Sequence, residues 1–146
     1  MITSGYRVGC NRYGRGRDPV KLLLVEDDPL NVEFFVDVLQ RDGHTVTVER
    51  DGIAGRDRAL GEIYDLVILD VQLPGLSGDQ ICRQIREAGI RQPVIALSAS
   101  ALPGQIEVGI DAGFDAYLTK PISPVELRAA VREWGAGDRN SLRHAP

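Results

Sequence analysis

Acidic, hydroxyl and amino side chains stand directly after short apolar segments of this sequence. Residues 66–69 are all apolar and run into Asp70, and a similar segment runs into the acidic residues 26–28. Ser98 and Lys120 follow two further segments of this kind. A short apolar run bounded by turn residues is typical of a buried parallel strand. We therefore expect these side chains at the carboxyl ends of strands, which is the edge of an α/β sheet where ligands bind.

The residue types in this set suit phosphoryl transfer with a divalent cation. Two like charges ~4 Å apart repel by about 4 kcal/mol at an effective dielectric constant near 20, and this cost falls if a proton is shared, a cation binds or Lys120 neutralises one charge. Carboxylate oxygens without nearby Cys or His favour a hard cation such as Mg²⁺. Asp70 is then the predicted nucleophile that forms an aspartyl phosphate. Lys120 and the metal would neutralise the phosphoryl oxygens, and Ser98 would donate a hydrogen bond to one of them.

Each of these residues also has a purely structural interpretation. Acidic residues before a helix are good caps, Ser98 can cap a turn, and Lys120 before Pro121 can be an ordinary loop lysine. Their joint occurrence at successive strand ends favours the phosphoryl-transfer interpretation.

The elements that must position these residues form a regular alternation. Segments near residues 20–25, 66–69, 93–97 and 115–118 are mainly apolar, and residues 44–48 alternate, with Val46 and Val48 apolar. All five predict strands, and each precedes a predicted helix. Ser77 with Gln80 and Ser123 with Glu126 are capping-box pairs that begin two of the helices. This pattern predicts an α/β fold with a five-stranded parallel sheet, helices on both faces and right-handed crossovers. The doubly wound, flavodoxin-like order 2-1-3-4-5, taken from known folds, fits five such units.

The composition indicates one globular domain with short extensions. A chain of 146 residues with 43% hydrophobic and 26% charged residues can bury a full core without disulfides. Residues 1–18 hold four arginines and no hydrophobic period, which predicts a flexible basic leader. We expect the domain at residues 19–135 and a flexible tail at 136–146.

The overall charge and the cysteine content restrict the expected binding partners and the expected cellular compartment. A net charge of −4 gives no reason to expect direct binding of nucleic acid. Two cysteines are too few for a disulfide framework, and no apolar run approaches the roughly 20 residues of a membrane helix. We therefore predict a cytoplasmic protein without a membrane span.

The sequence resembles the receiver domain of two-component response regulators, of the chemotaxis-regulator type, over about residues 20–135. Four motifs carry the resemblance: Leu24-Val25-Glu26-Asp27-Asp28-Pro29, Leu69-Asp70-Val71-Gln72-Leu73-Pro74-Gly75 with Gly78, Ala96-Leu97-Ser98-Ala99, and Tyr117-Leu118-Thr119-Lys120-Pro121.

The resemblance implies a Mg²⁺ site. Asp27 and Asp70 match direct ligands, Gln72 matches the position whose backbone carbonyl binds the metal, and Glu26 matches an acid that acts through water. Asp28 lies one place past the usual acid pair, so its role stays open.

The resemblance also implies the reacting and switching residues. Asp70 matches the phosphoacceptor and Lys120 the characteristic lysine of the site. Ser98 matches the switch hydroxyl, and Tyr117 matches an aromatic residue whose ring turns inward on activation. The Lys120–Pro121 peptide bond is expected to be cis.

The predicted function is that of a stand-alone response regulator. It would take a phosphoryl group from a phosphohistidine on a sensor histidine kinase or a histidine phosphotransfer protein, and would then change its affinity for a downstream protein. This makes it a phosphoprotein switch that catalyses its own phosphorylation and dephosphorylation rather than an enzyme. The kinase, the pathway and the oligomeric state are not predicted.

Three other functions are compatible with parts of this residue set. One is a Mg²⁺-dependent phosphohydrolase with an Asp nucleophile, which often carries a second acid where this chain has Gln72. A receiver acting only as an interaction module would not need the full acid, Ser98 and Lys120 set. A flavin-mononucleotide carrier would need a phosphate loop after the first strand, where the acids at residues 26–28 would repel phosphate.

Three residues outside the set are given structural interpretations. Cys82 is predicted to be a core thiol, His44 a solvated strand residue, and Trp134 a core residue.

Overall fold

A computed structural model describes residues 19–136 of the chain. These residues form five strands that alternate with five helices. The strands are β1 (Lys21–Val25), β2 (Thr45–Glu49), β3 (Leu66–Asp70), β4 (Val94–Ser98) and β5 (Ala116–Thr119). The helices are α1 (Pro29–Arg41), α2 (Gly52–Gly61), α3 (Gly78–Glu87), α4 (Pro103–Ala112) and α5 (Pro124–Val131). The chain then continues as a π-helical turn, Arg132–Ala136.

The sheet has the predicted topology. All four strand pairs are parallel and the order is β2-β1-β3-β4-β5, so the prediction of a doubly wound 2-1-3-4-5 sheet is confirmed. The order reverses between β1 and β3, and the crevice at such a reversal is where ligands bind in open α/β sheets. The site therefore lies where β1 and β3 end.

Two hydrophobic cores, one on each face of the sheet, hold the strands in register. Leu22 and Leu24 of β1 belong to the core that contains Phe35 of α1 and Leu127 of α5. Their neighbours on β1 belong to the opposite core, which contains residues of α2, α3 and α4. Successive side chains of a strand point to opposite faces, so a strand buried on both sides is apolar throughout.

Polar side chains fix where four of the helices begin. Ser77 and Ser123 form the two predicted capping boxes, with Gln80 and Glu126 respectively. Asp51 accepts a hydrogen bond from the backbone N–H of residue 54 at 2.8 Å and begins α2. These caps satisfy backbone donors that have no partner within the helix. The strand–helix junctions next to the site are thus set by local sequence.

Helix α4 differs from its prediction. Leu102, Ile106 and Ile110 recur at helical spacing, which predicts that they form its apolar face, yet Leu102 and Ile110 are more than half exposed. The residues that α4 buries are Gly109 and Ala112. The helix therefore approaches the sheet on small residues and leaves Leu102 and Ile110 largely in solvent, with Ile106 half-buried.

His44 also differs from its prediction as a solvated strand residue. It lies just before β2 and is half-buried, and its Nδ1 accepts a hydrogen bond from the backbone N–H of Val20 at 3.0 Å. Burial lowers the pKa of this imidazole, although the nearby Asp42 carboxylate opposes the shift.

The predicted core thiol, Cys82, is fully buried, and burial raises its pKa to about 11.

Two predicted segments fall largely or wholly outside the described residues. These are the basic leader at residues 1–18 and, apart from residue 136, the tail at residues 136–146. No helix within residues 19–136 combines the length and the apolar character needed to cross a membrane.

Candidate functional site

Three carboxylates meet at the carboxyl edge of the sheet. Glu26 and Asp27 follow β1, Asp70 ends the paired strand β3, and one oxygen of each lies within 4.8 Å of the others. Glu26 and Asp70 are buried, whereas Asp27 is exposed. The expected convergence of the acids is therefore present, with one member open to solvent.

Lys120 joins the two buried carboxylates. Its Nζ lies 2.8 Å from Asp70 Oδ2 and 3.0 Å from Glu26 Oε1. Asp70 Oδ1 accepts a hydrogen bond from the backbone N–H of Gln72 at 2.9 Å. Glu26 Oε2 accepts one from the backbone N–H of Asp28 at 3.1 Å. Each buried acid is therefore oriented by a backbone donor on one oxygen and by Lys120 on the other.

The charges at this edge do not balance. Burial raises the pKa of Glu26, because the surroundings disfavour its ionised form. Burial alone would lower the pKa of Lys120, but hydrogen bonds to Asp70 and Glu26 outweigh it and raise the pKa. Three carboxylates face one ammonium, so a cation would be stabilised here.

The donor set fits a hard metal ion. Among the described residues, Glu26 Oε1 is a buried oxygen without a geometrically sound hydrogen bond, although it pairs with Lys120 at 3.0 Å. It can therefore accept a hydrogen bond from a metal-bound water. Asp27 and Asp70 offer carboxylate oxygens in the same group of three. Oxygen ligands with waters retained are the arrangement that Mg²⁺ prefers.

Ser98 and the turn that carries Lys120 are tied together on the neighbouring strands. Ser98 is buried at the end of β4, and its carbonyl accepts a hydrogen bond from the backbone N–H of Lys120 at 2.7 Å. Its Oγ accepts one from the N–H of Ser100 at 3.2 Å. The Lys120–Pro121 bond is cis, as predicted. The hydroxyl and the ammonium thus stand on adjoining segments at the same edge.

Tyr117 lies on β5, three residues before Lys120. Its half-buried ring packs against α4, where a Cβ at Gly109 would come within 2.9 Å of a ring carbon. The Tyr117 ring can pack this closely against α4 because Gly109 has no side chain.

Asp28, whose role was open, acts as the N-cap of α1. One carboxylate oxygen accepts a hydrogen bond from the backbone N–H of Leu30 at 3.0 Å, and the other from the side chain of Asn31 at 3.3 Å. Asp28 is not part of the three-carboxylate group found among the described residues. Its position supports a structural role.

Two glycines contact the site: Gly78 belongs to one of the motifs that carry the resemblance, whereas Gly52 was not recognised from sequence as part of the site. A Cβ at Gly78 would lie 2.5 Å from the carbonyl oxygen of Asp70. A Cβ at Gly52 would lie 2.1 Å from the carbonyl oxygen of Leu76, in the loop after Asp70. The sequence marks Gly78 as a turn residue and Gly52 as a weak helix former, because neither of these tertiary contacts has a local signal.

Comparison with known proteins agrees with this geometry. The response regulator receiver domain family model matches residues 22–132. The response regulator ArlR of Staphylococcus epidermidis is 40% identical over 111 residues, which is 76% of this chain and 50% of that protein. The transcriptional regulatory protein CseB of Streptomyces coelicolor is 40% identical over 129 residues, which is 84% of this chain and 55% of that protein. The chain thus spans about half the length of these curated relatives.

A solved structure resembles this fold closely. It is the receiver domain of the sensor histidine kinase PA1611 from Pseudomonas aeruginosa PAO1, crystallised with a magnesium ion coordinated in the active site cleft. It is 38% identical, has a TM-score of 0.75, and the match covers 82% of this chain and 100% of that one.

Proposed function

The chain belongs to the response-regulator receiver family, and from that premise we propose that it is a Mg²⁺-dependent phosphoacceptor switch whose phosphoryl group is carried by Asp70. The observation that supports this most directly is the pairing of Asp70 with Lys120 beside two further carboxylates. A buried carboxylate at a strand end, already in contact with a cation, is placed to react with an electrophilic phosphorus.

In the proposed reaction an oxygen of Asp70 attacks the phosphorus of a phosphohistidine. An O–P bond forms and the N–P bond of the donor breaks, leaving the donor histidine with the electron pair of that bond. Lys120 would turn from pairing with carboxylates to pairing with the phosphoryl oxygens, and Ser98 would donate its hydroxyl hydrogen to one of them. Interactions that strengthen as charge develops on those oxygens lower the barrier.

The proposed metal ligands are Asp27, Asp70 and the backbone carbonyl of Gln72, with Glu26 acting through a water molecule. When bound, Mg²⁺ supplies positive charge to the phosphoryl oxygens. The role of the protein is to present oxygen ligands on two neighbouring strand ends and on the loop that follows Asp70.

We further propose how the signal enters and leaves the domain. The donor would be a sensor histidine kinase or a histidine phosphotransfer protein in the cytoplasm. The output would be a change in affinity for a downstream protein, transmitted through Ser98 and Tyr117, rather than direct contact with nucleic acid. The domain would work as a switch and not as an enzyme acting on a separate substrate.

The deciding experiment is incubation with Mg²⁺ and acetyl phosphate, followed by intact mass measurement. Wild-type protein should gain the mass of one phosphoryl group, and Asp70→Asn should gain none because the amide is not a nucleophile of comparable strength. Asp37→Asn, an exposed acid on α1, is the matched control and should behave as wild type. A persistent mass gain in Asp70→Asn would show that another residue accepts the group.

The metal site is tested separately by Mg²⁺ titration. Asp27→Ala should weaken Mg²⁺ binding by at least about tenfold, because loss of a ligand to a divalent ion typically exceeds 1.4 kcal/mol. Asp37→Ala should leave the affinity unchanged, since Asp37 pairs with Arg41 on the surface of α1. Equal affinities in the two variants would refute the assignment of Asp27.

A further inference from the structure

Helix α2 makes a backbone contact with the loop that follows Asp70, residues 71–77. The N–H of Gly52, the first residue of the helix, donates a hydrogen bond to the carbonyl of Pro74 at 2.8 Å. A Cβ at Gly52 would lie 2.1 Å from the carbonyl oxygen of Leu76 and 2.6 Å from its nitrogen. Since nonbonded heavy atoms pack best at about 3.5–4.0 Å, any larger residue would push the loop away by roughly 1 Å or more.

The same loop is tied to the candidate site at its other end. The N–H of Gln72 donates to Asp70 Oδ1 at 2.9 Å, and the N–H of Gly78 donates to the carbonyl of Val71 at 2.9 Å. Between these bonds the chain turns at Gly75, which has a left-handed φ of 88°. A displacement imposed where the loop contacts Gly52 therefore reaches the segment that contains Gln72.

Helix α2 also contacts the other strand that supplies carboxylates. A Cβ at Gly55 would lie 2.6 Å from a methyl carbon of Val25, the residue immediately before Glu26. Gly52 and Gly55 are both buried, so one face of α2 rests on the end of β1 and on the loop after β3. The proposed ligands Glu26 and Asp27 directly follow β1, and the proposed ligand Gln72 lies in this loop, next to Asp70.

We infer that α2 sets the geometry of the Mg²⁺ site, with Gly52 as a positioning residue that holds the loop of residues 71–77. This inference rests on the proposed function, because it concerns the proposed metal ligands. Mg²⁺ requires near-octahedral coordination at about 2.0–2.1 Å and tolerates little displacement of its ligands. A helix that permits a close backbone contact at Gly52 therefore controls how well the loop can supply its ligand.

The test compares Gly52→Ala with Gly61→Ala. Both glycines belong to α2, but a Cβ at Gly61 would meet no atom within 4 Å. Gly52→Ala should raise the Kd for Mg²⁺ by about tenfold or more, the usual effect of disturbing residues that orient ligands. Gly61→Ala should leave the Kd unchanged. Calorimetric titration and Mg²⁺-dependent backbone amide shifts of residues 70–78 measure this without reference to phosphorylation.

A milder variant keeps the test decisive if Gly52→Ala does not fold. The side chain of Ile53 lies 3.5 Å from where a Cβ of Gly75 would stand and is 49% exposed, so Ile53→Ala should loosen the loop without emptying the core. It should raise the Kd by a smaller factor. In Gly52→Ala and in Ile53→Ala, saturating Mg²⁺ should largely restore the rate of phosphorylation by acetyl phosphate. The Mg²⁺ concentration that gives half of the maximal rate should be higher than for wild type.

The outcomes separate this inference from the proposed function. Lower stability of Gly52→Ala with an unchanged Kd for Mg²⁺ would mean that Gly52 is only structural, and would overturn the inference alone. If Gly52→Ala does not fold, an unchanged Kd for Mg²⁺ in Ile53→Ala would likewise overturn the inference alone. Failure of the wild-type protein to bind Mg²⁺ would overturn both the inference and the metal site on which it rests.

Discussion

Lys120 is the residue on which the electrostatics of the site depend. Its ammonium lies within 3.0 Å of both Asp70 and Glu26, and its side chain is only 21% exposed. Two buried carboxylates that share one ammonium are held together but not neutralised, and Asp27 adds a third charge nearby. The unliganded site is therefore negatively charged, which favours entry of a divalent cation and opposes entry of a free anion.

At the same scale, His44 predicts a dependence of stability on pH. Its folded-state pKa is lowered from the usual 6.5 by burial, and its Nδ1 must be unprotonated to accept the hydrogen bond from Val20. Below pH 6.5 the unfolded chain therefore binds more protons at this residue than the folded chain does. Stability from this residue is fully present above pH 6.5 and is lost as pH falls below it, by at most about 1.4 kcal/mol per pH unit.

Urea unfolding of wild type and His44→Asn between pH 7.5 and 5.5 measures this effect. The wild-type protein should lose more stability over this interval than the variant, because Asn does not titrate. Other groups contribute equally to both proteins and cancel in the difference. The same pH dependence in the two proteins would contradict the assignment to His44.

The residues of the site differ in how far sequence could predict them. Asp70 and Ser98 were identifiable because each comes directly after an apolar run, and Lys120 because it lies two residues after the run that ends at Leu118. The strand order then brings the three together. His44 was misread, because its partner Val20 lies 24 residues away and no local pattern reports that hydrogen bond. Gly52 was missed for the same reason, since the loop it touches is distant in sequence.

At the scale of elements, the buried face of α4 could not be predicted from the sequence. Its apolar residues have helical spacing, which normally marks a face turned toward the core. The structure instead packs Gly109 and Ala112 against β5 and exposes Leu102 and Ile110. Periodicity shows that two faces of a helix differ, but tertiary packing determines which one is buried. Here the bulk of the Tyr117 ring favours the side with small residues.

This packing predicts opposite behaviour of two glycines in α4. Gly104→Ala meets no atom within 4 Å and should stabilise the protein, by up to about 0.5–1 kcal/mol, because alanine is the better helix former. At Gly109 a Cβ would lie 2.9 Å from the Tyr117 ring and 3.4 Å from Phe114. Gly109→Ala should therefore lack this gain or be destabilising, since overpacking typically costs about 1–3 kcal/mol.

A double-mutant cycle checks the cause. Urea unfolding of Gly109→Ala should give a higher stability, relative to its parent, in a Tyr117→Ala background than in wild type. In that background the effect should approach that of Gly104→Ala. An unchanged effect of Gly109→Ala after removal of the ring would show that Tyr117 is not what the glycine accommodates.

At the scale of the whole molecule, the two edges of the sheet have different roles. The carboxyl edge collects the acids, Ser98 and Lys120, and three carboxylates there face one ammonium. The opposite edge is tied by Arg86, whose guanidinium donates to the carbonyls of Gly113, Ile90 and Gln92 and pairs with Asp115 at 2.9 Å. One end of the fold is thus fixed by hydrogen bonds, while the other retains unbalanced charge that a ligand can relieve.

The free energy of unfolding should report this difference between the edges. A ligand that binds only the folded state stabilises it, by about 2.7 kcal/mol at a concentration of 100 Kd. Lys120→Met should lower stability in EDTA, because Glu26 and Asp70 then face each other without their shared ammonium. It should also increase the stabilisation that a fixed concentration of Mg²⁺ gives, because the metal no longer competes with Lys120 for the carboxylate of Asp70.

Lys21→Met is the matched control for this experiment. Lys21 is exposed at the opposite edge, where its Nζ lies 3.8 Å from Glu62 and 5.0 Å from the centre of the Tyr64 ring. Its removal should change the free energy of unfolding little, and Mg²⁺ should stabilise this variant as much as it stabilises wild type. Urea unfolding of wild type, Lys120→Met and Lys21→Met, each in EDTA and in Mg²⁺, gives the stabilisation by Mg²⁺ for each protein. Equal stabilisation by Mg²⁺ in the three proteins would contradict this prediction, because removal of an ammonium that neutralises the carboxylates must strengthen binding of a cation to them.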